Sequence, residues 1–168
     1  MKKVIVITVI LALVVCGIIL SWSPPRLNVR LAATEGRPVQ RVRAIQGGAS
    51  WTGIGIAFHS DSPHPLQLSP DELAAVTLYL NGVDGEIRLA FRGGFPPTSV
   101  YAVRWRAEYA TGTQPSSDMF ESWESVEVDG RTIRISNDGE DYIYEIAAHW
   151  PIANSFASYT FRVMSGSE

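Results

Sequence analysis

The chain reads as an all-β protein, an immunoglobulin-like or Greek-key β-sandwich preceded by one N-terminal transmembrane helix. Three observations predict this. Apolar and polar residues alternate with period two through much of the chain after residue 25, the pattern of half-buried strands. Turn dipeptides such as Asn81-Gly82 and Asp129-Gly130 recur at short spacing, as a many-stranded antiparallel fold requires. One uncharged run, Val4–Leu20, stands apart from the rest. The composition agrees. The 168 residues are 46% hydrophobic and 18% charged, with net charge −3, which excludes a disordered polar chain. The single Cys excludes a disulfide scaffold. The negative balance argues against a nucleic-acid partner, and one apolar run is too few for a multi-span protein.

Residues 1–22 form the expected membrane anchor or signal segment. Val4–Leu20 is seventeen residues, a helix of about 25 Å, near the short limit for a bilayer core of about 30 Å. Trp22 suits the interface. Three readings compete. An uncleaved anchor makes the lipid bilayer a partner through Val4–Leu20. Cleavage as a signal peptide is favoured by Ser21 and Ser23 but opposed by Pro24. Lipidation of Cys16 is opposed by Val15 before it and by the apolar Ile18-Ile19-Leu20 after it. The anchor is the reading adopted, with Cys16 as an inert thiol. Orientation is contested. The Met-Lys-Lys head resembles an export signal, whereas Arg26, Arg30, Arg37, Arg41 and Arg43 after the run favour a cytoplasmic C-terminal side. The expectation is an extracytoplasmic domain.

Residues 23–25 are a proline spacer, and 26–168 are one domain. Leu27, Val29 and Leu31 alternate with Arg26, Asn28 and Arg30, and Val42 and Ala44 with Arg41 and Arg43. Gly47-Gly48 predicts a turn. Trp51–Phe58 predicts one strand, with Ile54, Ile56 and Phe58 on one face. His59–Pro65 is a loop. Ser69-Pro70-Asp71-Glu72 is a helix start, with Ser69 as N-cap, Pro70 at the first position and Glu72 completing a capping box. Val76–Leu80 and Glu86–Phe91 predict a hairpin. Arg92–Pro97 is a loop, and Val100–Tyr109 the longest strand. Thr111–Glu124 is a polar loop with Met119, Phe120 and Trp123 tucked in. Val126–Val128 and Thr132–Ile135 form a tight hairpin across Asp129-Gly130. Asn137–Asp141 is a turn, and Tyr142–Trp150 and Tyr159–Val163 are the last strands. Trp51, Phe91, Trp105, Trp150 and Phe161 are the expected core.

Charge is uneven. Residues 24–45 hold five arginines and one glutamate. Arg26 and Arg30 are candidates for contact with anionic headgroups, against the alternative that they are charged solvent faces of edge strands. His59, Asp61 and His64 share a loop and are weak metal candidates, since a metal needs three or four converging ligands; His149 is a possible third imidazole. Asn137–Asp141 is too short for a calcium loop. Asp118, Phe120, Glu121, Trp123 and Glu124 form a candidate binding loop, either a sugar site or a carboxylate pair. No nucleophile motif, phosphate loop or dinucleotide pattern occurs in the sequence, so no catalytic residue and no cofactor is assigned.

Ile45–Trp51, Pro63–Leu66, Tyr142–Pro151 and Ser158–Val163 carry a resemblance. These segments resemble small exported proteins of Gram-positive bacteria, membrane-anchored or lipoprotein-like β-domains with no assigned activity. The resemblance implies an extracytoplasmic β-domain and supplies no catalytic residue. The expectation is therefore a non-catalytic binding or structural module of the cell envelope, engaging another envelope protein or a glycan. The alternatives are a metal- or carboxylate-dependent envelope enzyme and a cytoplasmic-facing accessory domain.

Overall fold

A computed structural model describes residues 5–11, 24–32, 38–52, 57–151 and 155–166. The strands are β1 (Arg26–Leu31), β2 (Gln40–Arg43), β3 (Ile45–Thr52), β4 (Ala57–Ser60), β5 (Thr77–Tyr79), β6 (Gly85–Arg92), β7 (Ser99–Arg106), β8 (Glu124–Val126), β9 (Thr132–Ile135), β10 (Tyr142–His149) and β11 (Phe156–Met164). Strands β2-β1-β6-β9 form a four-stranded sheet. Strands β4-β3-β11-β10-β7-β8, with β5 beside β11, form a seven-stranded one. The β5–β11 pair is parallel, and the two sheets pack as an all-β sandwich.

The alternation explains the packing. Leu27, Val29 and Leu31 of β1, Ile87 and Leu89 of β6, and Ile133 and Ile135 of β9 point inward. They meet Tyr144, Ile146 and Ala148 of β10 and Tyr159, Phe161 and Val163 of β11. Burying each large apolar side chain stabilises the fold by about 1.5–3 kcal/mol. Trp51 and Trp150 meet edge to face at 5.0 Å, and Tyr144 stacks on Phe161 at 5.2 Å. Phe91 lies at the margin of this core, half-buried. Trp105 is buried as expected, but on the opposite face of its sheet, in a second core with Leu66, Leu68, Leu73 and Ile143.

Several local expectations are corrected. Gly47-Gly48 is no turn; both residues lie inside β3. A side chain at Gly47 would meet the Ser158 hydroxyl, which the bare glycine accommodates. Trp51–Phe58 is not one strand. Trp51 pairs with Phe58 and Thr52 with Ala57 across a β3–β4 hairpin. Ile54, Ile56 and the side chain of Phe58 lie outside the described residues. The hairpin expected around Asn81-Gly82 is a crossover. β5 joins β11, whereas β6 joins β1 and β9 in the other sheet. Asp129-Gly130 does turn the chain, with Asp129 bridging Thr132. Its flanking strands then part, β8 to β7 and β9 to β6. Strand β7 stops at Arg106, and Ala107–Tyr109 is a 3-10 turn. Among the described residues the longest strand is β11, with nine residues.

The helix start is as expected: Ser69 caps Pro70–Ala74, and Glu72 closes the box. Residues 5–11 are helical. Among the described residues no helix is long and apolar enough to cross a membrane, and the rest of the expected span lies outside them. Pro24 and Pro25 are buried rather than free. The Tyr159 hydroxyl donates to the Pro25 carbonyl, and Gly94 leaves room for the Pro25 ring. Pro25 thus packs with the domain.

Candidate functional site

The outer face of the seven-stranded sheet is partly roofed. Residues 61–75 and 110–122 cross over it. Leu66, Leu68 and Leu73 settle on Trp105 and Ile143, with Met119 against them. The roof covers Ile143 at one end of β10 and, beyond it, leaves an open groove of about 570 Å³ over Glu145, Ala147, Ser158 and Thr160.

Strand register sets the floor of this groove. Glu145 lies opposite Thr160 and Ala147 opposite Ser158. These are the outward positions of β10 and β11, since Tyr144, Ile146, Tyr159 and Phe161 point inward. Gly47 and Gly48 of β3 continue the floor. The bare Gly47 leaves space for the Ser158 hydroxyl, which hydrogen-bonds the Glu145 carboxylate. Burial raises the pKa of Glu145 above the usual carboxylate range, and the Ser158 hydrogen bond only partly opposes it.

His64 and Phe120 build the wall. Their rings lie 4.0 Å apart, and His64 also meets Trp105 edge to face at 4.9 Å. The ring is fixed because His64 caps the 3-10 turn Pro65–Gln67. Its Nδ1 accepts from the Leu66 N–H at 3.2 Å, and its own N–H donates to Gln67 Oε1 at 2.8 Å. Burial lowers the pKa of His64. With Nδ1 accepting, the proton of the neutral ring sits on Nε2. Phe120 comes from the short helix Ser117–Glu121 and is 45% exposed. The groove therefore combines a carboxylate and two hydroxyls on its floor with ring faces on its wall.

Of the candidate binding loop, Phe120 alone reaches the groove. Asp118 and Glu121 are exposed on the helix, and Trp123 is 53% exposed. Met119 is tucked in as expected, but Phe120 and Trp123 are not, because the second core is already filled by Trp105 and the leucines. Glu124 belongs to β8 and pairs with Arg104 at 2.8 Å. The Arg104 guanidinium also lies 3.9 Å over the Tyr142 ring. Burial and a hydrogen bond to Asp138 push the Tyr142 phenol up to about 12. This Arg104 cluster ties β7, β8 and β10 together.

His59 and Asp61 are exposed, while His64 turns inward. Among the described residues no three His, Cys, Asp or Glu side chains converge as a metal would need. His149 sits at the end of β10, its ring edge-on to Tyr101. In Asn137–Asp141 the oxygens serve the turn. Asn137 accepts from the Gly139 N–H, Asp138 from the Glu140 N–H and the Tyr142 hydroxyl, and Asp141 from the Ser165 N–H. Arg26 and Arg30 lie on the outer face of β1, in the other sheet.

Sequence reasoning did not find Glu145, Ser158, Thr160 or Gly47 as site residues. Period two in Tyr142–Trp150 does put Glu145 opposite the aromatic face. Its burial comes from a roof more than twenty residues distant in sequence, which no local pattern reports. No family model matches the chain, and no curated protein and no solved structure matches it.

Proposed function

We propose that this protein is a membrane-tethered, non-catalytic binding module of the cell envelope that holds a glycan in the groove over β10 and β11. The groove itself carries the reading. Glu145, Ser158 and Thr160 offer hydrogen-bonding groups on the floor, and Phe120 offers a ring at the wall. A sugar has the two matching surfaces, a C–H face for the ring and hydroxyls for the floor. Glu145 is the one carboxyl among the described residues lining the groove, whereas sugar hydrolysis uses two. The arrangement therefore favours holding over cutting.

The apolar run Val4–Leu20 and the resemblance to exported Gram-positive β-domains support the tether and the extracytoplasmic side. Arg26, Arg30, Arg41 and Arg43 belong to strands β1 and β2, so their charge has a role in a folded surface apart from any topology signal. The crossovers from β5 to β6 and from β8 to β9 support a Greek-key or immunoglobulin-like connectivity.

The test is calorimetric titration of the full chain in nanodiscs with soluble oligosaccharide fragments of bacterial cell wall. Binding is expected, with a loss of about tenfold or more in Phe120→Ala and Glu145→Ala. Circular dichroism confirms that the variants fold. No binding by any fragment, or binding indifferent to both substitutions, contradicts the reading. Release of shortened fragments would favour an enzyme instead.

A further inference from the structure

The outer face of the four-stranded sheet is an arginine surface, and its composition follows from strand register. Arg30 of β1 lies directly opposite Arg41 of β2 on one side and Arg88 of β6 on the other. Arg26 lies opposite Arg92, and Arg43 opposite Asn28. Arg134 of β9 stands opposite Glu86, the one acidic residue these four strands place on that face. Residues opposite one another in a pair share a face, and like charges placed so repel. Among the described residues Arg88 alone on this surface has a carboxylate partner, Glu86 at 2.9 Å. The Arg30 Nε is buried and has no hydrogen-bond partner. In a chain of net charge −3, this sheet face is strongly cationic.

Pro24 and Pro25 are buried against the domain, with the Pro25 carbonyl held by Tyr159. The apolar run ends at Leu20. The residues from Leu20 to Pro24 reach at most about 15 Å when fully extended, and Arg26 opens β1 two residues after Pro24. Beside Pro25 lies Gly94, and the next residue, Phe95, is 66% exposed, as an aromatic at a membrane interface is. We infer that the domain lies with the arginine face of its four-stranded sheet on the headgroups of an anionic phospholipid bilayer, with Phe95 at the margin of the contact. The face gains a counter-charge, and the short tether keeps it within reach. The opposite sheet, with its groove, is turned toward bulk solvent.

The inference rests on the reading that Val4–Leu20 enters a bilayer, and its test separates the two. The full chain is reconstituted in nanodiscs of phosphatidylcholine alone and of phosphatidylcholine with phosphatidylglycerol. Phenylglyoxal labelling of each arginine is followed by peptide mass spectrometry. In the anionic discs labelling of Arg41, Arg43, Arg88 and Arg92 is expected to slow about threefold or more, and high salt is expected to reverse this. Arg106, on the other sheet, is expected to label equally in both. Incorporation with equal labelling of the arginine face overturns the inference and leaves the tether standing. Failure to incorporate into either disc overturns the tether and the inference together. Protection by soluble polyphosphate in neutral discs, without protection by phosphatidylglycerol, would assign the face to a soluble polyanion and overturn it as well.

Discussion

The two sheets have similar apolar inner faces and opposite outer ones. On the seven-stranded sheet the outward positions of β7 and β10 include Val103, Trp105 and Ile143, which recruit Leu66, Leu68 and Leu73 into a second core. On the four-stranded sheet the outward positions of β1, β2 and β6 are mostly arginine, and nothing apolar can settle on them. A run of apolar residues without alternation reads as buried on both sides, and β10 reads so over Tyr142, Ile143 and Tyr144, all three buried. Where the roof ends, a polar outward residue, Glu145, is left half-covered, and a groove results. The difference between the outer faces thus comes from a few outward residues, and it separates a roofed, grooved surface from an open cationic one.

The largest effects should come from the shared core. Trp150→Ala removes an edge-to-face partner of both Trp51 and Phe91 and should cost about 3–5 kcal/mol, read from urea midpoints. Leu66→Ala, in the second core, should cost about 2–4 kcal/mol. It should also speed amide exchange across residues 61–75 while the four-stranded sheet stays protected. Equal loosening of both sheets would break the separation drawn between them.

A sharper probe is Gly47→Ala. The added methyl meets the Ser158 hydroxyl, so a loss of about 1–3 kcal/mol is expected. Ser158→Ala in the same chain should restore most of it, because the remaining Cβ lies at ordinary contact distance, 3.5 Å. A double-mutant cycle with no coupling would contradict the floor geometry.

Glu145 should make stability depend on pH. Burial raises its pKa in the native state, so the native state holds the proton more tightly than the unfolded chain. That stabilisation is full below the ordinary carboxylate pKa and is lost as pH rises through the raised native value. Glu145→Gln should flatten this decline, measured as urea midpoints across the acidic range. An unchanged slope would mean that the carboxyl is better solvated than its place under the roof implies. The smallest effect is expected at Arg41→Gln. It relieves repulsion with Arg30 and should change stability by less than about 0.5 kcal/mol, in contrast to every substitution on the roofed side.

Much of the sandwich was legible in the sequence, because period two registers directly which face of a strand is buried. Leu27, Val29 and Leu31, the Ser69 cap and the buried Trp51, Trp150 and Phe161 all follow from local rules. Strand partners do not. Asn81-Gly82 and Asp129-Gly130 look like hairpin turns, yet each leads the chain from one sheet to the other, since pairing is decided by distant strands. The site was less legible for the same reason. Phe120 could be singled out as an aromatic among acids, whereas Glu145 became a site residue only through the roof above it and the bare Gly47 beside it.

The most direct measurement is amide chemical-shift mapping of the full chain in nanodiscs, titrated with cell-wall oligosaccharide fragments. Shifts are expected at Gly47, Gly48, Phe120, Glu145 and Ser158, with β1, β2 and β6 unmoved. Shifts confined to β1, β2 and β6, or no shifts at all, would contradict the claim that the groove of the seven-stranded sheet is where this protein holds its ligand.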